Sequence, residues 1–151
     1  MRFEGKVFKE GKYWAIEVPI LGVVTQGRTK KEAFEMIADA IESLVNKSDF
    51  KIDVYAGKGN YFEIGSSDQR SLVAFLLRRQ RLKQGLSLEE VTWLLGAKSL
   101  NTYARYEQGK SIPTVSKLHQ LLAAVSPNDF VLAESQEASV KKGRWEFSPA
   151  S

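Results

Sequence analysis

The sequence predicts two unlike domains: an α+β domain of pattern β-β-β-α-β-β over residues 1–65, and an all-α domain over residues 70–133. Three observations carry this. Up to residue 65, outside one helical segment, apolar residues recur mostly at every second position, the period of a strand with one buried face. From residue 70 they recur every three or four positions, with capping residues and glycines at helix-length intervals. The charge divides at the same place. Residues 1–65 carry ten Lys/Arg against ten Asp/Glu, residues 66–125 nine against four, and residues 126–151 three against four. The whole net charge of +4 thus originates in the helical part, the footprint expected of phosphate binding.

Taken in order, residues 2–9 and 13–18 alternate as two strands, with Phe3, Val7, Trp14, Ile16 and Val18 facing inward and Glu10-Gly11 as the hairpin turn. Pro19 ends the second strand, and Val23 to Gln26 form a short third. Thr29-Lys30-Lys31-Glu32 is a capping box that opens a helix to about Val45, with Ala33, Phe34, Ile37, Ala38, Ile41 and Leu44 on one face. Phe50, Ile52 and Val54 then alternate with Lys51, Asp53 and Tyr55 in a fourth strand. A turn at Gly57–Asn60 leads into a fifth, Tyr61 to Ile64. Residues 66–69 read as a short linker.

The second domain opens with a basic helix over residues 70–84, with Leu72, Phe75, Leu76 and Leu82 among its apolar positions. Gly85 can take the left-handed conformation that ends it. Ser87 with Glu90 makes a second capping box, Val91, Leu94 and Leu95 give the next helix its apolar stripe, and Gly96 stops it. Ser99 or Asn101 caps a further short helix through Tyr103 and Tyr106, ended by Gln108-Gly109 before Pro113. Val115, Leu118, Leu121, Leu122 and Val125 mark a last amphipathic helix. Phe130 to Leu132 suit a strand or a docking segment, and disorder is expected for residues 134–151. Two short helices across a glycine turn make a helix-turn-helix, whose second helix lies in the DNA major groove.

Gly85-Leu86-Ser87, Gly96, the run from Thr102 to Gly109 (TYARYEQG) and Pro113 resemble the XRE (Cro/repressor-like) DNA-binding family over residues 72–125. Leu88 replaces a glutamine usual in the family, the segment 96–100 is one residue longer, and Trp93 stands at a position normally polar and exposed. The resemblance implies a lambda-repressor-like fold in which Leu100, Asn101, Thr102 and Arg105 read base edges. Asn can bond adenine and Arg guanine bidentately, and Leu can lie against a thymine methyl. Ser87, Lys98, Tyr103, Gln108 and Lys110 are the expected phosphate contacts. Tyr103 and Tyr106 also compete, by helical spacing, for the core, where Tyr106 is the one expected. Arg81 and Glu107 resemble a pair joined in that fold between its first and reading helices. A homodimer or higher oligomer on a palindromic operator is expected, because one reading helix covers only a half-site.

In the first domain, F-x-G-x-V-x-K-E at Phe3 to Glu10, Trp14, Pro19, Thr25-Gln26-Gly27 and Glu32-Ala33 resemble the HicB antitoxin family. That family implies a degenerate RNase H-like sheet, and many of its members end in a DNA-binding domain. The partner so implied is a HicA-like mRNA interferase toxin. Tyr13, Trp14, Glu32, Glu35 and Asp39 are candidate toxin-binding residues, the carboxylates complementing a basic partner surface.

No catalytic residue, cofactor or metal site is expected. Cysteine is absent, the single histidine, His119, lies in an amphipathic helix, and there is no metal-ligand spacing, nucleophile elbow or phosphate-binding glycine loop. A nuclease would need several carboxylates converging on Mg²⁺, and Glu4, Glu10, Glu17 and Asp39 form no recognisable set. The opening MRFEGKVFKEGK has no uninterrupted apolar stretch, and no run approaches a membrane span. The expected protein is a cytoplasmic antitoxin, nucleoid-associated when bound to its operator. A free-standing ligand-responsive repressor is the regulator alternative, and an RNase H-like nuclease the enzyme alternative.

Overall fold

The computed structural model describes residues 1–126. The chain divides between Asp68 and Gln69 into two compact units. Among the described residues no helix is long and apolar enough to cross a membrane. The expectations for residues 127–151, including the domain end at 133, the segment Phe130 to Leu132 and the tail, lie outside the described residues.

The first unit runs β1 (Arg2–Glu10), β2 (Tyr13–Val18), a 3₁₀ turn (Pro19–Leu21), β3 (Val23–Gly27), α1 (Lys30–Val45), β4 (Asp53–Ala56) and β5 (Tyr61–Gly65). The five strands form one antiparallel sheet in the order β3-β2-β1-β5-β4. Register follows the alternation. Val7 lies opposite Ile16 and Phe3 opposite Ile64, placing these residues on the face that α1 covers with Phe34, Ile37 and Ile41. Burying each such side chain stabilises by about 1.5–3 kcal/mol. Thr29 caps α1 by accepting from the Glu32 amide at 3.0 Å, while the Glu32 carboxylate reaches back to the Arg28 amide at 3.2 Å. Two glycines permit close approach. A Cβ on Gly27 would stand 2.4 Å from the Ala33 backbone nitrogen, and one on Gly5 would stand 2.2 Å from the Phe62 ring.

Several expectations need correction here. β4 begins only at Asp53, although Phe50 and Ile52 are buried as expected. Tyr55, on the outer sheet face, is nevertheless buried, because the Arg2 guanidinium stacks on its ring at 3.8 Å. Burial raises its phenol pKa, with Asp53 adding to the effect. Leu44 is exposed, since it falls at the end of α1, past Ile41, the last buried residue of the helix. Residues 66–68 are irregular and make contacts within the first unit: the Ser66 hydroxyl donates to the Lys51 carbonyl at 2.7 Å, and Asp68 pairs with Lys47 at 2.7 Å. Gln69 is already the first residue of the next helix.

The second unit contains α2 (Gln69–Lys83), α3 (Leu88–Leu94), α4 (Leu100–Glu107) and α5 (Val115–Val125). Leu72 to Leu77 of α2, Val91 of α3, Tyr103 and Ala104 of α4, and Leu118, Leu121, Leu122 and Val125 of α5 form its core. α2, α3 and α4 end alike. Gly85, Gly96 and Gly109 each adopt positive φ, and the following amide bonds back to a carbonyl of the last turn: Leu86 to Arg81, Ala97 to Thr92, Lys110 to Arg105. This glycine C-cap satisfies carbonyls that the helix leaves open. Leu82, Leu94 and Val115, expected in the core, are exposed. In α3 the inward place beside Val91 belongs to Thr92, whose hydroxyl donates to the Leu88 carbonyl at 2.8 Å and so carries no unmet polar group inside.

Candidate nucleic-acid interface

The site is built on α3, the turn at Gly96, and α4. Ser87 and Glu90 complete a reciprocal capping box, the hydroxyl accepting from the Glu90 amide at 3.1 Å and the carboxylate from the Ser87 amide at 3.2 Å. That holds the start of α3 in a fixed direction. Ser99, rather than Asn101, caps α4, accepting from the Asn101 amide at 3.3 Å, so Asn101 lies inside the helix.

α4 has two sharply different sides. Tyr103 and Ala104 are buried, whereas Leu100, Asn101, Thr102 and Arg105 are exposed. Asn101 and Arg105 stand four residues apart and therefore on one face. A planar amide and a guanidinium, the two groups best suited to bidentate contact with adenine and guanine, are thus presented together beside the exposed Leu100 side chain. Lys98 and Ser99 precede this face, and Gln108 and Lys110 follow it; all four are exposed.

Tyr103 is a correction. Expected as a phosphate contact, it is wholly buried, with its hydroxyl donating to the Leu77 carbonyl at 3.5 Å. Burial, and next the neighbouring Glu107 carboxylate, raise its phenol pKa far above the ordinary value. The register of α4 turns Tyr103, and not Tyr106, fully into the core; Tyr106 is only half-buried. Sequence spacing left the choice open because both tyrosines lie within one turn of the buried Ala104.

Beneath this face, α4 is tied to α2 by a nearly buried ion pair. Arg81 Nε lies 3.1 and 3.0 Å from the two Glu107 carboxylate oxygens and Nη2 lies 2.6 Å from Oε1, with side-chain exposures of 13% and 8%. Nη1 donates to the Leu86 carbonyl at 2.9 Å. The hydrogen bonds that Arg81 donates to Glu107 raise the Arg81 pKa against the opposing effect of burial. Arg81 is therefore withdrawn from the basic cluster, and Glu107 has its charge met internally rather than facing DNA. Arg78, Lys83, Lys98, Arg105 and Lys110 remain exposed.

On α3, Trp93 is 79% exposed, at the position that the XRE resemblance marks as exposed, and Leu94, drawn into the apolar stripe by spacing, is 50% exposed. In the first unit, Tyr13 is exposed, Trp14 is half-buried with the Lys30 ammonium 5.9 Å from its ring centre, and on α1 Glu32 and Glu35 are half-buried while Asp39 is exposed. Among the described residues no three or more His, Cys, Asp or Glu stand together as a metal-ligand set.

Comparison with known proteins agrees with this geometry. No curated protein gives a significant match to the chain. Residues 72–126 match a family model described as a helix-turn-helix domain, a stretch that begins in α2 and ends just past α5. The second unit of this chain is accordingly a DNA-binding helix-turn-helix domain.

Proposed function

We propose that this protein is a HicB-type antitoxin that represses its own operon. α4 reads operator bases through Leu100, Asn101, Thr102 and Arg105, with Ser87, Lys98, Gln108 and Lys110 on phosphates. The observation that carries the DNA half is the two-sidedness of α4: Tyr103 and Glu107 anchor it, so Asn101 and Arg105 face outward on a rigid base. Such preorganisation lowers the ordering cost of binding. Two copies act on a palindromic operator, since each supplies one reading helix.

The antitoxin half rests on the ordered motifs between Phe3 and Ala33 joined to a helix-turn-helix unit. On this reading the antiparallel sheet with α1 on one face is the degenerate RNase H-like scaffold that the resemblance implies. The α1 carboxylates Glu32, Glu35 and Asp39, with Tyr13 and Trp14, meet a small basic mRNA-cleaving toxin in the cytoplasm. The test is co-purification with the product of the neighbouring small reading frame, with RNA cleavage as readout. The antitoxin reading predicts a stable complex in which cleavage is suppressed. A folded protein that binds its own promoter but leaves the neighbour's cleavage untouched would remove the antitoxin half and keep the regulator half.

A further inference from the structure

The sheet face away from α1 carries an open cleft of about 570 Å³, lined by Lys6, Phe8, Lys58, Gly59, Asn60 and Tyr61. Its volume is in the range of small-molecule sites. Its construction follows from register. Lys6 lies directly opposite Tyr61 on β1 and β5, so both side chains rise from the same face. Phe8 is two residues along β1, again on that face. The next pairing is the Val7 amide to the Asn60 carbonyl at 2.8 Å, which brings Gly59 alongside Phe8 with no side chain to fill the space. Lys58 sits in the turn that the Tyr61 amide closes onto its carbonyl at 3.2 Å.

The lining has a definite chemistry. Tyr61 is 54% and Phe8 38% exposed, and neither Lys6 nor Lys58 pairs with a carboxylate among the described residues. No carboxylate lines the cleft, although the same face carries Glu4 and Glu63 directly opposite one another further along β1 and β5. Two exposed rings and two ammonium groups that form no salt bridge thus meet on this face, with Glu17 standing opposite Lys6 on β2 and Glu63 already paired with Arg2. Aromatic rings on a sheet accept stacked bases and lysines accept the linking phosphates, the combination that holds unpaired strands without reading their sequence. A duplex, whose bases are already stacked, cannot use the rings. We infer that this corner of the sheet binds a short single-stranded nucleic acid, with a base stacked on Tyr61 or Phe8 and phosphates on Lys6 and Lys58. The site is separate from α4 and does not depend on the antitoxin reading.

The test uses the full chain with a fluorescent eight-nucleotide single strand, in ribose and deoxyribose forms, in the presence of saturating unlabelled random duplex to occupy the helix-turn-helix. The paired substitution Phe8→Ala and Tyr61→Ala should weaken binding roughly 5- to 150-fold, the range for loss of one stacked base. Duplex affinity, measured on the same preparation, should not change, and Tyr61→Ala alone, at a 54% exposed ring, should weaken the single strand while leaving the thermal transition in place, whereas Phe8, at 38%, is mostly covered. Lys58→Ala should lower the slope of log K against log salt by about 0.7. With this variant dependence, either oligonucleotide supports the site, and their ratio tells which sugar it prefers. The inference falls if Lys110→Ala weakens the single strand while the ring variants do not, since the helix-turn-helix would then be the binder. It also falls if an acidic peptide of matched charge competes as well as the oligonucleotide.

Discussion

The Arg81–Glu107 pair sets how firmly α4 is presented, and its removal has a calculable effect. Three contacts of 2.6–3.1 Å join a guanidinium and a carboxylate whose side chains are 13% and 8% exposed. Screening by solvent is weak at that depth, so the small values typical of surface pairs do not apply. Removing one partner leaves the other charge desolvated, at about 3–5 kcal/mol for a buried pair. Glu107→Ala should therefore lower the stability of the second unit by about 3 kcal/mol or more, and its midpoint by roughly 12–24 °C at 4–8 °C per kcal/mol. Arg81→Ala should cost slightly more, because it also strips the Leu86 carbonyl of its donor. The double variant leaves no unpaired charge and should lose less than the sum, with a coupling of about 1–3 kcal/mol. Urea unfolding followed by hydrogen exchange of α2 and α4 amides reports the right unit. Additive losses, within about 0.5 kcal/mol, would refute the view that α4 is held by this pair.

Other predictions follow from the same geometry. Tyr103 is protonated in the fold and its pKa is raised, so its contribution is complete below the unfolded value near 10 and declines as pH rises above it. Urea midpoints at pH 9, 10 and 11 should fall more for the native protein than for Tyr103→Phe; parallel curves would mean the phenol is not shielded. Gly27→Ala should destabilise the first unit by about 1–3 kcal/mol, because the intruding Cβ meets the rigid Ala33 backbone; an unchanged first-unit transition by differential scanning calorimetry would contradict the close packing of α1 on β3. Under the antitoxin proposal, residues 1–68 expressed separately should suppress a co-purified RNA-cleaving toxin and the remainder should bind operator weakly; RNA-cleavage and gel-shift assays check both.

What was legible in the sequence depended on how local the determining physics was. The capping residues Thr29 and Ser87 and the glycines that end α2, α3 and α4 act within four residues of themselves, and each stands where local pattern puts it. Strand alternation likewise gave Phe3, Val7, Ile16 and Val18. Short helices were less transparent. α3 has seven residues, so its stripe could be drawn through Leu94 while the packed face runs through Val91 and Thr92. The exchange of Tyr103 for Tyr106 has the same origin, as a rotation of α4 by less than a turn decides which ring is buried. Tyr55 and the cleft at Lys6 and Tyr61 depend on pairing between distant strands, which no local pattern states: Arg2 covers Tyr55, and β5 places Tyr61 beside Lys6. The exposed groups of α4 were readable because the motif order fixes the helix; their isolation from Glu107 is a tertiary fact.

The central claim is that α4 reads bases while its flanks hold phosphates, and Arg105 and Lys110 separate the two roles. Arg105 is exposed on α4 in line with Asn101, whereas Lys110 follows Gly109, where the helix has ended. A salt titration of binding to operator and to scrambled duplex, for Arg105→Ala and Lys110→Ala, measures this directly. Arg105→Ala should cost about 1–3 kcal/mol on the operator and little on scrambled DNA, while Lys110→Ala should weaken both alike and lower the salt slope by about one. Equal losses on the two duplexes for Arg105→Ala would contradict the account, because that side chain would then be touching phosphate rather than bases.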